Sequence, residues 1–269
     1  MERKQYPSNL ERYKQTQMVE YIDRDDVKYP PLRWVYYDIK NGVHNPHNVL
    51  LTYLVHPDES DAQKAIMTAM EKRCAQPGMP NILFVPVSSP TGQARHLERR
   101  GQSDCKKNTN GAGNNLNWSF LDGSTDPEVL SWISLLKGKQ FDYSLHIHHD
   151  DEMFGKNIYG YLHEKEETPP PIYWESFTQS ITHIGYTTYS NQYDDQENPA
   201  LGNWIPQNGL IVTSPHPRFN GSFENYIVGE RIARSALTIE LPTHLKEKEY
   251  VPIVNAVYGL INRKSGFVR

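Results

Sequence analysis

His56 and Glu59 stand three residues apart, directly after an almost unbroken apolar run, Val49-Leu50-Leu51-Thr52-Tyr53-Leu54-Val55. Such a run reads as a strand buried on both faces, the mark of a parallel sheet covered by helices. In sheets of that kind ligand sites gather at the carboxyl ends of strands. An H-x-x-E at such an end sets an imidazole beside a carboxylate at the sheet edge. A second strand, Phe141-Asp142-Tyr143-Ser144-Leu145, is expected to end in His146. Two imidazoles and one carboxylate form the donor set of a catalytic zinc, with the fourth position left open for water. His148 shares the face of His146 by strand alternation, so it is a candidate to orient a ligand or bind substrate. His149, Asp150 and Asp151 are equally open to two roles, hydrogen-bond partners behind the ligands or a polar loop.

These residues need a scaffold, and the chain offers alternating strands and helices. Strands are expected at 34–39, 49–55, 81–87, 141–147 and 236–239, with a short one at 210–212. Residues 62–73 carry apolar side chains at helical spacing (Ala65, Ile66, Ala69, Met70). Asp126-Pro127 opens a helix with a capping carboxylate and a proline at the first helical position, and Gly138 ends it. Residues 222–232 and 251–262 also read as helices. Segments 90–117 and 164–208, the latter with Pro169-Pro170-Pro171, read as long loops, which in a compact domain tend to carry function. The alternation predicts an α/β domain over 31–269 with a largely parallel central sheet, preceded by a polar arm over 1–30.

Composition narrows the function. The 269 residues are 37% hydrophobic and 22% charged, with a formal net charge of -4, which gives no case for nucleic acid or an acidic membrane surface as partner. No stretch approaches the roughly 18–20 apolar residues of a membrane span, and Met1-Glu2-Arg3-Lys4-Gln5-Tyr6 lacks the apolar core of a secretory signal. Cys74 and Cys105 are the only cysteines and are expected to be reduced, which points to the cytoplasm. His96, His163, His183, His216 and His244 are expected to be surface or structural residues, and Tyr226 a packing residue.

Four motifs carry a resemblance. The run VLLTYLVHPDES resembles the first metal motif of the zinc carboxypeptidase superfamily, which includes the succinylglutamate desuccinylase and aspartoacylase branch. FDYSLH is similar to that family's third-ligand strand, CKKNTNGAGNNLNWSF to its substrate-binding loop, and ALTIELP to the late strand carrying its catalytic glutamate. They occur in the family's order between His56 and Glu240. The resemblance implies a three-layer α/β/α sandwich with a mixed, largely parallel central sheet, of zinc carboxypeptidase-like (phosphorylase/hydrolase-like) fold.

It also implies roles. His56, Glu59 and His146 match the ligands of one zinc ion, and Glu240 matches the general base. Asn117 matches the residue that holds the substrate backbone or terminal carboxylate. Lys106 falls where the family has the arginine that polarises the scissile carbonyl. Trp118 falls where it has the arginine that pairs with the substrate's C-terminal carboxylate, and Asp58 stands where the digestive enzymes carry another. A tryptophan cannot form that bidentate pair, so Arg100, with Arg95 and Arg99, is the candidate substitute. The implied reaction is hydrolysis of an amide in a peptide or acylated amino acid, with Glu240 taking a proton from zinc-activated water. The alternative is a metal-binding module of the same fold that has lost turnover. For Glu240 the plain alternative is a carboxylate satisfied by Arg231 or Arg234. The run from His146 to Asp151 nearly matches the H-x-H-x-D-H motif of metallo-β-lactamase-like hydrolases, but Asp151 stands where the last histidine is needed.

Overall fold

In a computed structural model the described residues are 14–15, 33–37, 48–53, 66, 68–69, 72, 80–90, 92, 114–121, 123–150, 157–164, 172–189, 193–194, 203–204, 208–213, 222–242 and 245–261. Strand β3 (Asn48–Tyr53) is buried at every position after the first, as a strand covered on both faces must be. It lies between β4 (Asn81–Val85) and β5 (Phe141–Asp150), parallel to both. Beyond β5 comes β11 (Ala233–Pro242), again parallel, and beyond that β6 (Asn157–Glu164), which is antiparallel to β11. With β1 (Lys14–Gln15), β2 (Arg33–Tyr37) and β10 (Leu210–Thr213), the order is β1-β2-β4-β3-β5-β11-β6-β10, and β7 (Thr187–Thr188) also pairs with β6. The short strands β8 (Tyr193–Asp194) and β9 (Asn203–Trp204) pair separately. The sheet is mixed and mostly parallel, as expected. Lys14 and Gln15, within the expected arm, pair with Trp34 and Arg33 at its edge.

Strand alternation sends neighbouring residues to opposite cores. Val49, Leu51, Tyr53, Leu145, Ile147, Ile239 and Leu241 pack against α2 (Ile172–His183) and α4 (Glu247–Ile261). Leu50, Leu83, Val85 and Ala236 pack against α1 (Pro127–Leu136) and α3 (Phe223–Gly229). Each fully buried side chain of this size contributes about 1.5–3 kcal/mol, so the two cores clamp the sheet and give the three-layer arrangement. Asp126 caps α1 by accepting from the Glu128 and Val129 amides, at 2.9 and 3.4 Å. Gly138, at φ 71°, ends it in the left-handed region that glycine reaches freely. Ile66, Thr68, Ala69 and Lys72 are helical, with Ile66 buried and Lys72 exposed, in keeping with the periodicity read over 62–73. Among the described residues no helix is long and apolar enough to cross a membrane.

Several expected boundaries move. β5 does not end at His146 but runs on to Asp150, and β11 extends well past the expected 236–239 at both ends. α3 stops at Gly229, because Arg231 turns the chain at φ 57° straight into β11. α4 begins at Glu247, ahead of Val251. The segment 164–208, read as a loop, contains α2, and β6 was not foreseen.

Gly160 shows why β6 hides in the sequence. A Cβ there would lie 2.7 Å from the Thr238 carbonyl oxygen and 2.9 Å from the Trp174 ring. The glycine weakens the strand signal, yet it is what lets α2 press Trp174 onto the sheet, where its Nε1 donates to the Asn208 carbonyl at 2.9 Å. Gly160→Ala should lower stability by about 2 kcal/mol or more in chemical denaturation. Adding Trp174→Phe should recover part of that loss. An unchanged midpoint for Gly160→Ala would refute the packing account.

Candidate active site

Of the residues singled out in the sequence, His56, Glu59, Arg95, Arg99, Arg100 and Lys106 lie outside the described residues. The described residues give the carboxyl end of β3 and what surrounds it. The Tyr53 carbonyl, three residues before His56, accepts from the Ser88 amide at 3.0 Å and from the Ser88 hydroxyl at 2.9 Å. The Ser88 carbonyl in turn accepts from Trp132 Nε1 at 3.0 Å, and Ser89 donates to buried Glu128 at 2.9 Å. The carboxyl end of β3 is thus tied to the chain leaving β4 and to α1.

His146 is completely buried in the body of β5. Its Nδ1 lies 2.7 Å from Thr52 Oγ1 on β3, and its Nε2 lies 2.7 Å from Ser144 Oγ on its own strand. The Phe223 ring meets it edge-on, with centroids 5.2 Å apart. A neutral imidazole donates from one nitrogen and accepts at the other, so two hydroxyls can engage it fully. Its pKa falls to about 4: burial is the main cause, Glu224 pulls the other way, and His148 and His163 add to the fall.

Glu240 stands two residues past Thr238 on β11 and is partly exposed. It pairs in register with His148 on β5 and with Tyr159 on β6. The next row back is His146, Thr238 and Tyr161. Glu240 and His148 therefore share a face at the carboxyl edge of the sheet, one step further out than His146. The arginines read as alternative partners for Glu240 sit at the other end of β11, where Arg234 lies 4.0 Å from Asp142. Six strand residues span about 20 Å, out of reach of Glu240.

A carboxylate absent from the sequence reading lies beneath this edge. Glu224, in the first turn of α3, is buried and accepts from Thr238 Oγ1 at 3.0 Å. Its Oε1 is 3.9 Å from His148 Nε2. Burial pushes its pKa up, but His146, His148, His163 and a backbone N–H outweigh that, and the net shift is downward. His163 on β6, expected to be a surface or structural residue, belongs to this cluster. Burial lowers its pKa, while Glu224 and a hydrogen bond with Asn225 oppose the fall. The only sequence sign was a Glu inside the otherwise apolar stripe Phe223, Ile227, Val228.

His149 faces the opposite core, between Tyr53 (hydroxyl to Nε2, 3.4 Å) and Tyr250 (centroids 5.3 Å apart). It lies within β5 rather than in a loop. Asp150 is the last residue of β5 rather than part of a loop. Tyr226 packs on Phe120, as expected. Asn117 and Trp118 lie in a 3-10 turn (Leu116–Trp118), where Asn115 accepts from the Asn117 amide at 3.0 Å. Asn117 Oδ1 accepts from the Phe223 amide at 3.4 Å, joining this turn to α3, while Trp118 is 42% exposed.

The depressed pKa of His146 carries a stability consequence. A histidine with an ordinary value of 6.5 unfolded and about 4 folded binds protons preferentially when unfolded. Its contribution is complete above about pH 6.5 and is lost as pH falls toward 4, by roughly 3 kcal/mol in all. Denaturation of chelator-treated protein between pH 7 and 4.5 should show this loss, and His146→Gln should flatten the slope. An equal slope in the variant would remove His146 as the cause.

No protein-family model matches the chain, and no curated protein matches it. Solved structures do. A protein from Shewanella denitrificans described as a metallopeptidase is 17% identical and superposes with a TM-score of 0.61, over 94% of this chain and 84% of its own. A similarly described protein from Shewanella amazonensis is 18% identical at a TM-score of 0.60, over 86% and 82%. The metallo-carboxypeptidase of Burkholderia cenocepacia is 18% identical at 0.54, over 86% of this chain but 60% of its own. At these identities the likeness is one of fold, and the chain has the carboxypeptidase-like α/β fold of these structures.

Proposed function

We propose that the protein is a metal-dependent hydrolase of amide bonds in peptides or acylated amino acids, with Glu240 as general base. The observation that supports this best is the register of Glu240 with His148 on parallel neighbours β11 and β5, at the edge toward which β3 leads into His56. Among the described residues no three His, Cys, Asp or Glu side chains converge as a metal site. The donor chemistry fits zinc: His56 and Glu59 supply an imidazole and a carboxylate, and β5 supplies a second imidazole. We assign that third ligand to His148 rather than His146, whose two nitrogens are both within 2.7 Å of hydroxyls deep in the sheet.

A zinc ion so held would supply Lewis acidity to water and to the scissile carbonyl. Glu240, partly exposed on the same face, takes the proton from the attacking water and passes it to the leaving amine. Lys106 and Arg100 are assigned to the carbonyl oxygen and to an anionic substrate group. Asn117 is tied to α3 and Trp118 is open, so their turn offers a fixed amide and an apolar wall in place of a guanidinium clamp.

Metal analysis of purified protein, followed by hydrolysis of an acyl-amino-acid and peptide panel, tests the reading. Glu240→Gln should keep fold and zinc and lose two to four orders of magnitude in turnover, the scale of a general base. His148→Ala should lose the metal, whereas His146→Ala should keep stoichiometric zinc at lower stability. Retained metal in His148→Ala with loss in His146→Ala would return the ligand role to His146. Metal without turnover of any panel member would favour a binding module. With Trp118 in the arginine position, release of residues from peptides with free C-termini should be poor; rates typical of carboxypeptidases would overturn that specificity.

A further inference from the structure

Among the described residues Glu224 is the buried carboxylate that faces the imidazoles of β5 from the helix layer. Its Oε1 lies 3.9 Å from His148 Nε2 and accepts from Thr238 Oγ1 at 3.0 Å. Thr238 is the register partner of His146, so the hydroxyl holding Glu224 belongs to the strand that also carries Glu240. The backbone beneath Glu224 is fixed as well. Ser222 caps α3 by accepting from the Asn225 amide at 3.1 Å, and the Phe223 amide donates to Asn117. A buried carboxylate is costly unless neighbouring donors compensate it. An apolar residue would fill this place beside Phe223 and Ile227 more cheaply, so packing alone does not explain a glutamate here.

We propose that Glu224 is a positioning residue for the metal site: it orients the His148 ring and selects the tautomer with the proton on Nε2, leaving the lone pair on Nδ1. This rests on the assignment of His148 as a ligand made above. Metal-binding histidines commonly give their second ring N–H to a carboxylate, which fixes the ring and raises its basicity. Glu224 stands on the Nε2 side of His148 at ion-pair distance, and a small closure of α3 would turn that into a hydrogen bond.

The test uses the full chain with zinc or cobalt alone as probe. Glu224→Gln keeps the shape and removes the charge; it should fold with unchanged circular dichroism and bind zinc 10- to 100-fold more weakly in chelator competition, the usual scale for such partners. Its cobalt-loaded visible spectrum should shift, and Glu224→Asp should recover part of the affinity. In the metal-free protein, histidine 15N spectra should show His148 as the Nε2–H tautomer, with that preference reduced in Glu224→Gln. If Glu224→Gln fails to fold, Thr238→Val, which removes the hydroxyl holding Oε1, should weaken zinc binding in the same direction. Zinc affinity within twofold of wild type in the folded variants, with His148→Ala abolishing binding, would overturn the role of Glu224 and leave the metal site standing. Absence of zinc binding in the wild type would overturn the metal reading itself.

Discussion

Three parallel strands, β3, β5 and β11, form the middle of the sheet, and their mutual register decides which side chains meet at its carboxyl edge. A slip of one residue would turn His148 and Glu240 to opposite faces. The register is pinned at both ends. At the amino edge Asp142 on β5 accepts from the Asn48 amide of β3 at 2.9 Å and lies 4.0 Å from Arg234 on β11. Further along, the His146 ring bridges β3 and β5 through Thr52 and Ser144. The ring does for the strands what a cross-strand hydrogen-bonded pair does in any sheet, but in a buried place where losing a partner would leave a polar atom unsatisfied.

Much of this was legible in the sequence, and for a physical reason. Strands buried on both faces announce themselves as apolar runs, and Asp126-Pro127 with Gly138 marks a helix by chemistry that acts locally. Glu240 was legible for the opposite reason, as an ionisable residue interrupting such a run. What failed to show was whatever depended on distant partners. His148 and His149 looked like the end of a strand because polarity usually marks a loop; His148 instead meets Glu224, and His149 meets Tyr53 and Tyr250, all far along the chain. β6 was hidden by a glycine whose meaning is the indole above it. Glu224 was hidden because a buried carboxylate in a short helix has no periodicity of its own.

The polar cluster under α3 is a concentrated case of buried polarity that must be satisfied as a whole. His146, His148, His163, Glu224 and Thr238 occupy one region between the sheet and the helix. In a low-dielectric setting such a network gains strength when every member is partnered and becomes a liability when one is not. Burial favours the neutral form of His146, because an uncharged ring is cheaper to bury.

α3 is only one side of a short mechanical chain. Asn117 in the loop that also bears Trp118 holds the first amide of the helix, and the next residue along is Glu224. The part of the protein that would meet the substrate and the part that would steady the third ligand are therefore fastened to the same two turns of backbone. For a lineage drifting toward new substrates this linkage restricts the route. Trp118 is exposed and outside these bonds, whereas Asn117, Phe223, Glu224 and Thr238 are joined by hydrogen bonds or by chain adjacency, so a change at one is felt by the others.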